Sequence, residues 1–118
     1  MPTHRLNWQE WVPGLPHPSP LLTLVEVLAM LERLGQDVDH RTLRFWEDEG
    51  VIPGPIYQSQ HGMRRALYPI WLPILVCDLR ILQLMRGLSL AQCVAPMRSY
   101  AFIHALLDAD EPRDRQKN

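Results

Sequence analysis

The chain has 118 residues, 47% of them hydrophobic and 21% charged, which is the length of one domain with a single modest core. A formal net charge of −1, from 12 basic against 13 acidic residues, excludes a global electrostatic pull toward nucleic acid, so any such affinity must come from local clustering. No segment has a signal-peptide layout and no apolar run of about 18 residues is free of prolines and charges, so a cytoplasmic protein with no membrane partner is expected.

Residues 1–21 are expected to form an N-terminal arm, since Pro2, Pro13, Pro16, Pro18 and Pro20 forbid a long helix and leave room for one helical turn around Asn7 to Val12. Trp8 and Trp11 are costly to leave in water, and docking on the body of the protein is favoured over docking on a partner. From Leu22 to Leu34 the apolar residues Leu24, Val27, Leu28, Leu31 and Leu34 follow amphipathic-helix spacing, with Thr23 as cap and Glu26 as its reciprocal partner.

A second helix is predicted from His40 to Glu49, with Asp39 as N-cap and Gly50 closing it in the left-handed conformation. Arg41, Arg44 and Asp48 share one face, whereas Leu43 and Trp46 point largely the other way. Asp37 and Asp39 beside His40 invite a metal reading, but such residues before a helix more often cap it, and no metal or other cofactor is expected.

Between Pro53 and Tyr68, strands at Ile56 to Gln58 and Arg65 to Leu67 are expected to pair as a small hairpin. The next helix, Ile70 to Arg86, carries one stripe of Leu72, Leu75, Val76, Leu79 and Leu82 and a second of Ile74, Cys77, Ile81 and Met85, the second being a candidate interface for terminal segments or another copy of the chain. Pro73 fits if it falls in the first turn. Ser89 caps a short helix from Leu90 to Ala95, Pro96 breaks it, and another runs from Met97 to Leu107. The charged segment 108–118 reads as a solvated, disordered tail. Cys77 and Cys93, apolar in context and without C-x-x-C spacing, read as reduced core thiols.

The stretch Thr42-Leu43-Arg44-Phe45-Trp46-Glu47, followed by Gly50-Val51-Ile52, resembles the reading helix of the MerR family of winged helix-turn-helix regulators. Arg64, Arg65 and Tyr68 fit the basic, tyrosine-containing wing of that family, and Gly87-Leu88-Ser89-Leu90 fits its G-x-S-L element. Together these cover roughly residues 22 to 95. The pattern departs in the length of helix and turn from Val25 to Val38 and in the wing entry Gly62-Met63-Arg64-Arg65. The resemblance implies a mainly α fold, a winged helix-turn-helix over residues 22–107 with a short β-hairpin wing, and binding to double-stranded DNA as a homodimer or cooperative oligomer that regulates transcription.

On that reading the DNA-binding residues are Arg41, Thr42, Arg44, Phe45 and Trp46 on the helix, and Tyr57, His61, Arg64, Arg65 and Tyr68 on the wing. Arg44 has a rival role in a salt bridge to Glu47 or Asp48, worth only a few tenths of a kcal/mol, and DNA contact is favoured. Trp46 stays open between a buried anchor and a DNA contact. Asp48 shares the arginine face and counts against the reading, because Arg41, Arg44, Arg64 and Arg65 taken with Glu47, Asp48 and Glu49 carry a net charge of only +1. Eleven of the 12 basic residues are arginine, a bias that suits phosphate and guanine recognition and equally reflects codon usage in a GC-rich genome. The scattered histidines, the absence of a base partner for any serine or cysteine, and the lack of a glycine-rich phosphate loop argue against an enzyme. Two other readings remain: an excisionase-like architectural DNA-binding protein of a phage or plasmid, and a protein-interaction module that does not bind DNA.

Overall fold

The structure, a computed structural model, describes residues 5–15 and 20–110. Among them are five helices and one three-stranded antiparallel sheet: α1 (Trp8–Trp11), β1 (Leu21–Thr23), α2 (Leu24–Arg33), α3 (His40–Asp48), β2 (Ile56–Gln60), β3 (Met63–Pro69), α4 (Leu72–Met85) and α5 (Leu90–Ala109). The sheet order is β1-β3-β2. The tail expected from Asp108 is corrected at its start, where Asp108 and Ala109 belong to α5 and Asp110 caps it; the rest, from Glu111 onward, and Pro2, Pro16 and Pro18 of the arm lie outside the described residues.

Thr23 opens α2 with a full capping box: its hydroxyl accepts from the Glu26 N–H at 3.3 Å, and the Glu26 carboxylate accepts from the Thr23 N–H at 2.8 Å. The cap falls where the sequence placed it, within a segment read as helical from Leu22. Instead, residues before the cap are extended, and Leu22 pairs with Tyr68 of β3, adding a strand that periodicity did not show. Asp39 caps α3 by accepting from the Thr42 N–H at 2.8 Å, which also holds its carboxyl below the usual range. Gly50, at φ +77°, closes the helix as expected: its N–H bonds the Glu47 carbonyl and that of Val51 bonds the Trp46 carbonyl, a double closure that needs a left-handed residue.

The hairpin is longer than the expected strands, and its turn is only two residues, His61-Gly62. Both have positive φ, 53° and 76°, as a type I′ turn requires. Histidine hid that signal, since asparagine or aspartate is the usual first residue of such a turn.

α4 is the central pillar. Leu72, Leu75, Val76, Leu79 and Leu82 are all buried, Pro73 sits in the first turn, and the second stripe stays at or near the surface, with Ile81 and Met85 exposed. The expected break at Pro96 does not occur: α5 runs for 20 residues with Pro96 inside it. Ser89 caps the start with a capping box to Gln92, and Cys93, Met97, Ala101 and Ala105 then recur every fourth residue and are buried. Burial of that stripe against α4 outweighs the single N–H···O bond that the proline omits. The short link between α4 and α5 makes them antiparallel neighbours, tied farther along by His104 Nε2 at 2.6 Å from Asp78 Oδ2.

The N-terminal segment is part of the core. Trp8 and Trp11 are buried, as the sequence led us to expect; the Trp8 indole N–H donates to the Leu67 carbonyl at 3.0 Å, and Arg98 of α5 stacks over Trp11 at 4.7 Å. Leu21 and Leu22 belong to the sheet, so no structural boundary separates the described part of residues 1–21 from the body of the protein.

Candidate nucleic-acid interface

α3 divides its side chains sharply. Leu43, Trp46 and Glu47 are buried, while Arg41, Arg44 and Phe45 are exposed, Phe45 at 50%. Trp46 therefore resolves as an anchor: it is 4% exposed, and the Arg80 guanidinium of α4 lies 5.9 Å from its ring centre. Its place among DNA-contacting residues is withdrawn because the ring has no free face of useful size. Thr42 is half-buried, with its N–H taken by the cap.

Tyr68 is corrected in the same way. At 4% exposed it is a core residue of β3, and its hydroxyl donates to Glu47 Oε2 at 3.3 Å. Glu47 is the buried charged residue of the described chain, 3% exposed, and burial pushes its carboxyl up to about 7 against the opposing pull of Arg5 and Tyr68. Tyr68 is also raised, first by burial and then by the neighbouring carboxylate.

The hairpin arginines part company. Adjacent residues on a strand face opposite sides of the sheet. Arg64 stacks over the Tyr57 ring at 4.6 Å and borders a cleft shared with Arg5, Asn7 and Tyr57; Arg65 lies against Thr23, Leu24 and Val25 at the start of α2. Of the two wing arginines expected to meet DNA, Arg65 is thus turned away from Arg64, whose cleft is bordered by Arg5 instead. His61 is exposed at the hairpin tip, and Tyr57 is 46% exposed.

Arg5 is the residue that sequence reasoning missed. Its Nε donates to Asp48 Oδ1 at 2.8 Å, its Nη2 engages the same oxygen, and its Nε lies 3.9 Å from Glu47 Oε1. The bond to Asp48 raises the Arg5 guanidinium further above its ordinary range. No local pattern marks this contact, which spans 43 residues of sequence.

Arg5 joins two hollows into one surface. On one side His40, Arg41, Arg44, Phe45 and Asp48 line a shallow depression; on the other, Arg5 and Arg64 face a cleft of about 430 Å³. Among the described residues Arg41, Arg44 and Arg64 have no carboxylate within ion-pairing distance. The acids of α3 are meanwhile occupied, Glu47 by burial and Tyr68, and Asp48 by Arg5.

No family model, curated protein or solved structure matches this chain. No helix among the described residues is long and apolar enough to cross a membrane.

Proposed function

We propose that the protein binds double-stranded DNA as a winged helix-turn-helix regulator of MerR-like type. α2 and α3 form the helix pair, α3 enters the major groove, and the β2-β3 hairpin is the wing. The observation that carries this reading is the outward face of α3, where Arg41 and Arg44 stand exposed beside Phe45, without ion pairs among the described residues, while the acids of the same helix are buried or paired. Guanidinium groups without carboxylate partners suit phosphates and guanine edges. Arg64, held on Tyr57, supplies a preset cation at the wing, and His61 sits at its tip.

The working form is a homodimer built on α5. Gln92, Ala95, Ser99, Phe102, Leu106 and Ala109 recur at alternating spacings of three and four along the side opposite the buried stripe, the pattern with which one helix seams onto another. In its middle the seam changes from the small Ala95 and Ser99 to the large Phe102 and Leu106. An antiparallel second copy would set Phe102 against Ser99 and Leu106 against Ala95, filling each small position with a large side chain.

Anisotropy titrations of mixed duplex DNA at two salt concentrations test the reading. Affinity should fall steeply with salt, and Arg41→Ala and Arg44→Ala should each weaken binding about tenfold without moving the melting temperature. Salt-independent binding, or unchanged affinity in both variants, rejects it and leaves the exposed apolar face of α5 as the basis for a protein-interaction module. An excisionase-like role would use the same surface and would show itself as cooperative bending of long duplexes.

A further inference from the structure

We propose that Arg5 is a positioning residue for nucleic-acid binding: by occupying the Asp48 carboxylate it removes the negative charge that would otherwise stand on the arginine face of α3. The inference rests on the DNA-binding reading and extends it to the N-terminal segment, which no motif connected with the interface.

Three observations converge on this role. First, Asp48 lines the same depression as Arg41 and Arg44, so an unpaired carboxylate there would oppose an approaching phosphate at close range. Second, Arg5 meets that carboxylate with two nitrogens and also lies 3.9 Å from buried Glu47, so one guanidinium serves both acids at this end of α3. Third, the backbone holds Arg5 in place. The Gly54 N–H donates to the Leu6 carbonyl at 2.8 Å and the Trp8 N–H donates to the Gly54 carbonyl at 3.0 Å, so residues 6–8 run beside Gly54 like a short extra strand.

Gly54 leaves room for the Arg5 stem. A Cβ at this position would sit 3.2 Å from both Cγ and Cδ of Arg5 and 3.5 Å from Glu47 Oε1. The aliphatic stem of Arg5 thus crosses bare backbone on its way to Asp48, and Trp8 and Trp11, buried just beyond it, fasten the chain that follows.

Charge removal gives the test. Arg5→Gln leaves Asp48 unpaired and should weaken duplex binding about 5- to 10-fold at low salt, with a smaller loss at high salt where the repulsion is screened. The double variant Arg5→Gln/Asp48→Asn restores local neutrality and should bind as the unaltered protein does. A direct phosphate contact by Arg5 would instead leave the double variant as weak as Arg5→Gln, and that result overturns the proposal. Gly54→Ala keeps every charge but crowds the Arg5 stem; it should weaken binding in the same direction, and Asp48→Asn should relieve it. If Arg44→Ala weakens binding while Arg5→Gln does not, this inference falls and the DNA-binding reading stands. If neither matters, both fall.

Discussion

α3 and α5 each turn a face away from the rest of the protein, and the two faces have opposite chemistry. α3 offers Arg41, Arg44 and a half-exposed Phe45, whereas α5 offers Ala95, Ser99, Phe102 and Leu106 with no charge along the seam. The cause lies in how each helix is anchored. The nine residues of α3 are held by Leu43, Trp46 and the buried Glu47, which leaves its remaining positions free to carry charge. α5 is held by small or slender residues every fourth position, and a second apolar stripe on its far side contributes nothing to the monomer's core. A cationic face gains from meeting a polyanion, and an uncharged apolar one gains from being covered by its like.

The largest expected effect separates neighbours within α3. Trp46→Ala should lower stability by about 3–5 kcal/mol, since it empties the site of a buried core side chain. Phe45→Ala should change stability by less than about 0.5 kcal/mol and appear as weaker DNA binding instead. Urea unfolding followed by circular dichroism measures the first, and equal destabilisation by the two substitutions would erase the division of α3 into anchoring and exposed sides.

Next in size is the pH response of the anchor. Glu47 has a folded value raised from 4.5 to about 7, so the folded state holds a proton there that the unfolded chain releases earlier. The stabilisation is complete below about pH 4.5 and is lost as pH rises through about 7, with an upper magnitude of roughly 3 kcal/mol. Glu47→Gln, which stays neutral and can still meet the Tyr68 hydroxyl, should flatten that decline. A stability profile with the same fall between pH 5 and 8 in both proteins would place the titrating group elsewhere.

Local features of the chain were legible and remote ones were not. Thr23, Asp39 and Ser89 announced their helices because a cap acts on an N–H within three residues. The inward stripe of α4 was legible from spacing alone. Three features depended on partners far away in sequence: β1, which exists only because β3 offers an edge; the continuity of α5 through Pro96, which burial against α4 sustains; and the Arg5–Asp48 pair. Trp46 fell between the two classes. Its spacing from Leu43 pointed inward while the motif pointed outward, and its burial, with the Arg80 guanidinium 5.9 Å from the ring centre, decides for the core.

The apolar side of the comparison is tested by placing charge on the seam. Phe102→Glu and Leu106→Glu should each weaken self-association about 30-fold or more, since a buried contact loses ~2 kcal/mol on truncation and an unpaired carboxylate adds to that. Both residues are more than 40% exposed in the monomer, so folding should survive, and sedimentation velocity with circular dichroism reads the two effects separately. DNA affinity should fall with the dimer. Unchanged association would show that the seam serves some other surface.

The smallest expected effect asks how the first turns of α5 are held. The Gln92 N–H donates to the Ser89 hydroxyl at 3.2 Å, the Ser89 N–H donates to the Gln92 side chain at 2.9 Å, and four positions beyond Gln92 the missing N–H of Pro96 leaves the Gln92 carbonyl without its helical donor. Residues 90–95 therefore depend on the cap and on buried Cys93, while residues after Pro96 have an unbroken ladder and the packing of Met97, Ala101 and Ala105. Ser89→Ala should lower global stability by about 1 kcal/mol. Hydrogen exchange should show the loss of protection concentrated in residues 90–95, the small half of the proposed seam, and self-association should weaken in step because Phe102 and Leu106 of the second copy would close on a frayed surface. Protection lost evenly along all of α5 would mean that the helix opens as one unit and that the proline marks no weak point.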